Sequence, residues 1–220
     1  MAERFKDQAK SRRDMLGSFI RHGLSQEEAS SEALLQVLAG NDTSATTIRS
    51  VMLGLLTNPG AYSKLRAEID SAITTGRISS PITDAEGREM PYLQAVIKEG
   101  LRILPPAGGL LSKTVPPGGD IIDGKFIPGG THIGSSSLGI HRSKKTFGPD
   151  AELFVPERWL DADAGRLAQM TSTVDLVFHY GKYQCLGKTV AFMEFNKIFV
   201  EVRMFASEFT YWRLTRPVAP

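Results

Sequence analysis

A chain of 220 residues is long enough for one domain with a sizeable core. Hydrophobic residues make up 41% and charged residues 23%, close to the globular average, which excludes disorder and fibrous repeats. Lys plus Arg number 26 against 24 Asp plus Glu, a net charge of +2, so the balance makes no case for a nucleic-acid partner. The single cysteine, Cys185, excludes an intrachain disulfide and a CxxC metal clip, and it suits a reducing compartment. No window approaches the roughly 18 apolar residues of a membrane span, and Met1 to Lys10 lack the apolar core of a signal peptide. The chain is therefore expected to be soluble and cytoplasmic.

The first 75 residues read as helical. Ser25 and Glu28 have the spacing of a capping box, which opens a long helix over Gln26 to Thr57. Asn58-Pro59-Gly60 stops it, and a second helix follows over Ala61 to Ile73. Gly76 to Gly87 is loop-like. Pro91 suits the first turn of a helix carrying Tyr92 to Leu104, which Pro105-Pro106 ends. Pro and Gly then crowd residues 105–130, and Ile121 to Ile127 reads as a hairpin turning at Asp123-Gly124. Thr131 to Ser135 is a further short strand. Residues 142–185 are expected to be mostly irregular, and long ordered loops are usually functional. A last long helix runs over Leu186 to Phe205, with Val190, Met193, Ile198, Val202 and Phe205 among its apolar positions. The fold class is mainly α with a small β-sheet.

The segment Phe178-His179-Tyr180-Gly181-Lys182-Tyr183-Gln184-Cys185-Leu186-Gly187 carries the chemistry. A helix N-terminus after Cys185 offers N–H groups and a positive dipole end that favour a thiolate. Gly181 permits a tight turn, so that amides point at the sulfur. The pattern resembles the haem-binding signature of the cytochrome P-450 superfamily, Phe-x-x-Gly-x-x-x-Cys-x-Gly. By that resemblance Gly187 would let the helix approach a flat cofactor closely, and Phe178 would pack beside the sulfur and exclude water. Given the one Cys, a Phe and two Gly at these offsets coincide by chance about once in 2,000 in a chain of this composition. The resemblance implies haem, iron protoporphyrin IX, with Cys185 as its thiolate ligand, which promotes O–O cleavage. The family often places Arg or His two residues before the cysteine, to pair with a propionate. Here that residue is Tyr183, whose phenol still donates a hydrogen bond.

Ala39-Gly40-Asn41-Asp42-Thr43-Ser44 interrupts the long helix with poor helix formers, Gly alone costing about 1 kcal/mol relative to Ala. Thr and Ser hydroxyls also bond back to carbonyls and open the ladder. Read by itself, the stretch is either a polar solvent-facing patch, a break between two helices, or a site. It resembles the family's oxygen-activation motif, Ala-Gly-x-Asp/Glu-Thr, in which the helix opens over the distal face of the haem. By that resemblance Thr43 hydrogen-bonds dioxygen or its water, Asp42 feeds protons, and Ala39 and Gly40 leave room beside the porphyrin.

Glu99 and Arg102 lie three apart on one helix face, a spacing that as a general rule makes a solvated bridge worth little. They also match the family's Glu-x-x-Arg motif, and Pro156-Glu157-Arg158-Trp159 resembles its Pro-Glu-Arg-Phe. The implied triad of Glu99, Arg102 and Arg158 is structural: one carboxylate shared by two guanidinium forks fixes the approach to the cysteine loop. His141-Arg142 and Phe147-Gly148-Pro149-Asp150 also resemble that approach. Lys113 stands where the family often carries a propionate-binding base.

These motifs occur in the family's order and cover about residues 20–210. The chain thus resembles the C-terminal half of a cytochrome P-450: long oxygen-binding helix, Glu-x-x-Arg helix, meander, cysteine loop and final long helix. Residues 1–220 are expected to form a partial haem-thiolate monooxygenase domain without its N-terminal half. Met15-Leu16-Gly17-Ser18-Phe19 and Tyr183 to Lys188 look closest to fungal members related to pisatin demethylase and benzoate para-hydroxylase. The implied reaction inserts one atom of dioxygen into a small organic substrate. Electrons come from NADPH through a separate flavoprotein reductase, which would dock near Lys182 and Lys188. The resemblance implies that full-length relatives sit on the endoplasmic reticulum membrane through an N-terminal anchor, which is not expected within these 220 residues. Two alternatives share the motifs: a truncated non-catalytic haem-binding fragment, and a haem-thiolate isomerase or dehydratase. The intact Asp42-Thr43 pair speaks against the latter.

Overall fold

The computed structural model describes residues 2–6, 12–109 and 112–215, with side chains as far as 202. It divides into two compact units, residues 1–45 and 46–220.

In the first unit, α1 (Ala2–Lys6) is followed by α2 (Met15–Arg21). Asp14 caps α2 by accepting from Gly17 N at 2.8 Å, and Arg4 forks onto the same carboxylate at 2.6 and 3.0 Å. The long helix α3 (Gln26–Thr57) starts as its capping box requires: Ser25 N donates to Glu28 Oε2 at 2.8 Å and Glu28 N to Ser25 Oγ at 3.2 Å. α3 runs unbroken through Ala39–Ser44, so the expected opening does not occur. The Thr43 hydroxyl does bond back, donating to Ala39 O at 2.7 Å. A carbonyl oxygen has two lone pairs, however, and accepts this bond beside its backbone one. The remaining propensity penalties are at most about 1 kcal/mol per residue, and cooperativity carries so long a helix across them.

In the second unit, Val51 and Leu55 on the last turns of α3 are buried. α4 (Pro59–Thr74) begins two residues earlier than the sequence predicts, because Pro59 itself takes the first helical position. Its Ala61, Leu65, Ile69 and Ala72 form one buried stripe. The stretch predicted as loop contains α5 (Asp84–Arg88), nucleated by a second capping box between Thr83 and Glu86. Glu86 accepts from Thr83 N and hydroxyl and from Ser79, which holds its carboxyl down to about 2.

α6 (Pro91–Ile103) is the central strut. It is buried nearly all round, from Tyr92 and Leu93 through Val96 and Ile97 to Leu101, and each such side chain contributes roughly 1.5–3 kcal/mol. Ser50 Oγ donates to Gly100 O at 2.8 Å, where α3 crosses α6. Only glycine fits at that crossing, because a Cβ on Gly100 would lie 2.2 Å from Val51 Cγ2.

The small β-sheet is two separate antiparallel pairs. β1 (Lys113–Thr114) pairs with β4 (His132–Ile133), and β2 (Asp120–Ile122) with β3 (Lys125–Ile127). Asp123 (φ 50°) and Gly124 (φ 73°) make the hairpin turn, both in the left-handed region that a two-residue hairpin requires.

Residues 142–185 are more regular than their sequence suggests. After α7 (Ser137–His141) come α8 (Lys144–Phe147), α9 (Arg158–Asp161) and α10 (Ala164–Asp175), then 3₁₀ turns at Leu176–Phe178 and Gly181–Tyr183. Asp163 caps α10 by accepting from Arg166 N at 2.9 Å, and Met170 and Val174, four apart, bury its inner face. The last helix, α11, spans Lys188–Thr215. Its buried face is Phe195, Asn196, Phe199 and Val200, whereas Val190, Met193 and Val202 are exposed and Ile198 is partly buried. The helical period selects one of two apolar stripes, and packing against α5 and α6 chooses this one. The Phe205 side chain lies outside the described part. Among the described residues no helix is long and apolar enough to cross a membrane.

Candidate functional site

Glu99 on α6 is completely buried and is the hub of the second unit. Arg102 Nε donates to its Oε2 at 2.8 Å and Arg102 Nη2 to its Oε1 at 2.7 Å. Arg158 Nε donates to Oε1 at 3.1 Å, Val155 N to Oε1 at 2.8 Å, and Trp159 Nε1 to Oε2 at 2.9 Å. Other donors of the two guanidinium groups go to loop carbonyls and, from Arg158 Nη1, to the Asp150 carboxylate. Arg102 reaches His141 O, Ala151 O and Leu153 O; Arg158 reaches Phe147 O and Asp150 O. The Arg102 bonds to loop carbonyls and the bonds of Val155, Arg158 and Trp159 to Glu99 tie α6 to the segment 141–159. The general rule of a weak solvated bridge does not apply here, because the pair is fully desolvated. Sequence reasoning missed Trp159 as a donor to the hub. Its indole N–H, beside Arg158, was the available signal.

Cys185 stands just before α11, with its thiol exposed. Cys185 N donates to Phe178 O at 2.8 Å, and Lys188 N to Cys185 O at 3.4 Å. Phe178 is buried and stacks on Phe192 of α11 with centroids 5.4 Å apart, so the loop leans on the helix that follows it. Gly181 has φ 63°, a conformation L side chains rarely adopt, and a Cβ there would meet nothing within 4 Å. A Cβ on Gly187 would lie 3.7 Å from Cys185 Sγ, on the side the thiol occupies. His179 also has positive φ, 59°, which costs a non-glycine residue of order 1 kcal/mol.

Lys113 on β1 and Tyr183 in the cysteine loop meet: the ammonium sits 3.3 Å from the centre of the phenol ring. Lys113 also borders a cleft of about 380 Å³ lined by Ser135, Ser137, His141, His179 and Tyr180. Lys188 is engaged with Asp175 at 2.9 Å, while Lys182 is exposed. In the first unit, Ala39, Gly40, Asp42 and Thr43 are all exposed along α3, and a Cβ on Gly40 would meet nothing within 4 Å.

This donor set fits a haem. Among the described residues no group of three or more His, Cys, Asp or Glu converges on a point that could hold a bare ion. A lone exposed thiol, flanked by glycines that leave the approach to it free, suits a metal that brings its remaining ligands in a flat ring.

The structure thus sets an exposed cysteine on a turn just before a long final helix, and the relatives of the sequence give the family. The cytochrome P-450 family profile matches residues 1–204, and the chain belongs to that family. It is similar to cytochrome P-450 monooxygenase ABA1 of Pyricularia oryzae, 49% identical over 203 residues, which cover 92% of this chain and 40% of that protein. Cytochrome P-450 monooxygenase aba1 of Botryotinia fuckeliana is 46% identical over 202 residues, with the same 92% and 40% coverage. Cytochrome P-450 monooxygenase abl1 of Leptosphaeria maculans is 41% identical over 198 residues, covering 90% of this chain and 35% of that protein. The chain thus spans 35–40% of the length of these curated relatives.

Proposed function

We propose that this chain supplies the thiolate-bearing part of a haem-dependent monooxygenase, which inserts one atom of dioxygen into a small organic substrate and reduces the other to water. The observation that carries the reading is the exposed thiol of Cys185 on its glycine-flanked loop at the start of α11. The fungal relatives named as monooxygenases support it.

Haem, held through the Cys185 sulfur, supplies the redox centre for dioxygen activation. The residues of this chain do the rest. Cys185 Sγ would be the protein's ligand to the iron, carried on the turn just before α11. Phe178, buried beside the loop, keeps water from one side of the sulfur. Lys113 Nζ offers a cation to a haem propionate, and Tyr183 Oη a neutral donor. Thr43 Oγ1 gives its proton to Ala39 O, and by the family resemblance this hydroxyl would hydrogen-bond dioxygen or its water. The Asp42 carboxylate, one residue away and exposed, would by the same resemblance serve as a general acid–base group. Electrons would come from NADPH through a separate flavoprotein reductase, with the exposed Lys182 contributing to its docking face.

The test is the absorption spectrum of the reduced, carbon-monoxide-bound protein after haem loading. A strongly red-shifted Soret band is expected, and it should vanish in Cys185→Ser while the unfolding free energy stays within about 0.5 kcal/mol, because the thiol is exposed. The same red-shifted band in Cys185→Ser would overturn the assignment.

A further inference from the structure

Asn196 is wholly buried in α11, where an amide must find partners for both its ends. Its Nδ2 donates to Asp84 Oδ1 at 2.7 Å, and its Oδ1 accepts from Gln94 Nε2 at 2.8 Å. Gln94 Nε2 donates as well to Gly87 O at 2.8 Å, and Arg88 Nε to Asp84 Oδ2 at 2.8 Å. One amide thus joins three helices: α5 through Asp84, α6 through Gln94, and α11 itself. The backbones touch at the same point. A Cβ on Gly87 would lie 2.8 Å from both Asn196 Cβ and Asn196 O, so any other residue there would push α5 off α11. A second tie lies further along α11, where Ile82 N donates to Glu201 Oε1 at 2.7 Å.

α11 in turn carries the cysteine loop. Its first residue bonds Cys185 O, and Phe192, one turn before Asn196, holds Phe178, whose carbonyl accepts the Cys185 N–H. The loop is anchored at both points to one rigid helix, so displacement of α11 displaces Cys185. α6 closes the frame: Gln94 fixes α11, and Glu99, further along the same helix, fixes the 141–159 segment. A buried amide partnered at both ends favours one geometry, because a slide of α11 leaves the Asn196 donor and acceptor unpaired away from water.

We propose that Asn196 is a positioning residue that sets the register of α11 against α5 and α6, and thereby the place of the Cys185 thiol. Its effect on haem ligation rests on the function proposed above; its effect on the thiol does not.

Asn196→Asp keeps the side-chain shape but sets a second carboxylate against Asp84. The double exchange D84N/N196D returns one carboxylate and one amide to the pair, with donor and acceptor reversed, and Gln94 can donate to either. Cys185 is the only cysteine, so alkylation by iodoacetamide in the haem-free chain reports on it alone. N196D is expected to slow that reaction about three-fold, as the shift of α11 carries the sulfur from its exposed position, and D84N/N196D to restore it. In the haem-loaded protein the red-shifted fraction should fall and recover in the same order. Equal alkylation rates in wild type and N196D would overturn the proposal. A wild-type spectrum without the red-shifted band overturns the ligation reading instead, leaving alkylation to decide on Asn196. Should N196D not fold, Gln94→Met removes only Gln94's donors to Asn196 and Gly87: a smaller slowing supports the proposal, and an unchanged rate overturns it.

Discussion

Arg158 Nε donates to Glu99 Oε1 across 3.1 Å, although 59 residues separate the two in the chain. The single carboxylate also holds Arg102, three residues on, so one buried negative charge faces two buried guanidinium groups. Asp150 gives Arg158 a further partner at 3.0 Å. Burial would raise the Asp150 carboxyl, but the hydrogen bond and charge of Arg158 outweigh it and hold it below the usual range.

Glu99→Gln preserves the shape of the hub and removes its charge. It leaves both guanidinium groups desolvated without a buried counter-charge, for which a loss of about 3–5 kcal/mol is expected. Urea unfolding measures it. A loss below about 1 kcal/mol would mean that the carbonyl bonds alone hold the 141–159 segment.

Gly100→Ala places a methyl group into Val51, and an overpacked helix crossing of this kind costs about 1–3 kcal/mol. Val51→Ala makes room for it. The double variant should therefore be more stable than the sum of the two single losses, and a double-mutant cycle reads the difference.

His141 is 1% exposed, and its Nδ1 donates to Ser137 O at 2.6 Å. Burial pushes its imidazole below the usual histidine range. The unfolded chain consequently binds the proton first. Stability from this group is fully present above about pH 6.5 and is lost as pH falls towards the folded value, by up to about 1.4 kcal/mol per pH unit. Urea midpoints at about pH 7.5 and about pH 5.5 should differ more in wild type than in His141→Gln.

Local signals were enough wherever a short-range rule decides structure. The Ser25–Glu28 box and Asn58 bound α3 at the predicted residues, and Asp123-Gly124 turned the hairpin. α5 and α10 were missed although Thr83–Glu86 and Asp163 are capping signals of the same kind. Each helix is too short to stand alone and is held by its neighbours, α5 by α11 and α6, and α10 by α6, α7 and α8. The polar stretch in α3 misled in the opposite direction, because single-residue penalties do not break a long cooperative helix.

By itself the sequence determined the family, the single thiol and its flanking glycines, and the Glu-x-x-Arg pair, since these are fixed by residue type and spacing. The tertiary structure alone decided that the pair is buried, that Trp159 joins it, that Lys113 lies over Tyr183, and that Asn196 locks α11. Each of these depends on desolvation or on contact between distant segments, and neither is encoded at any one position of the chain.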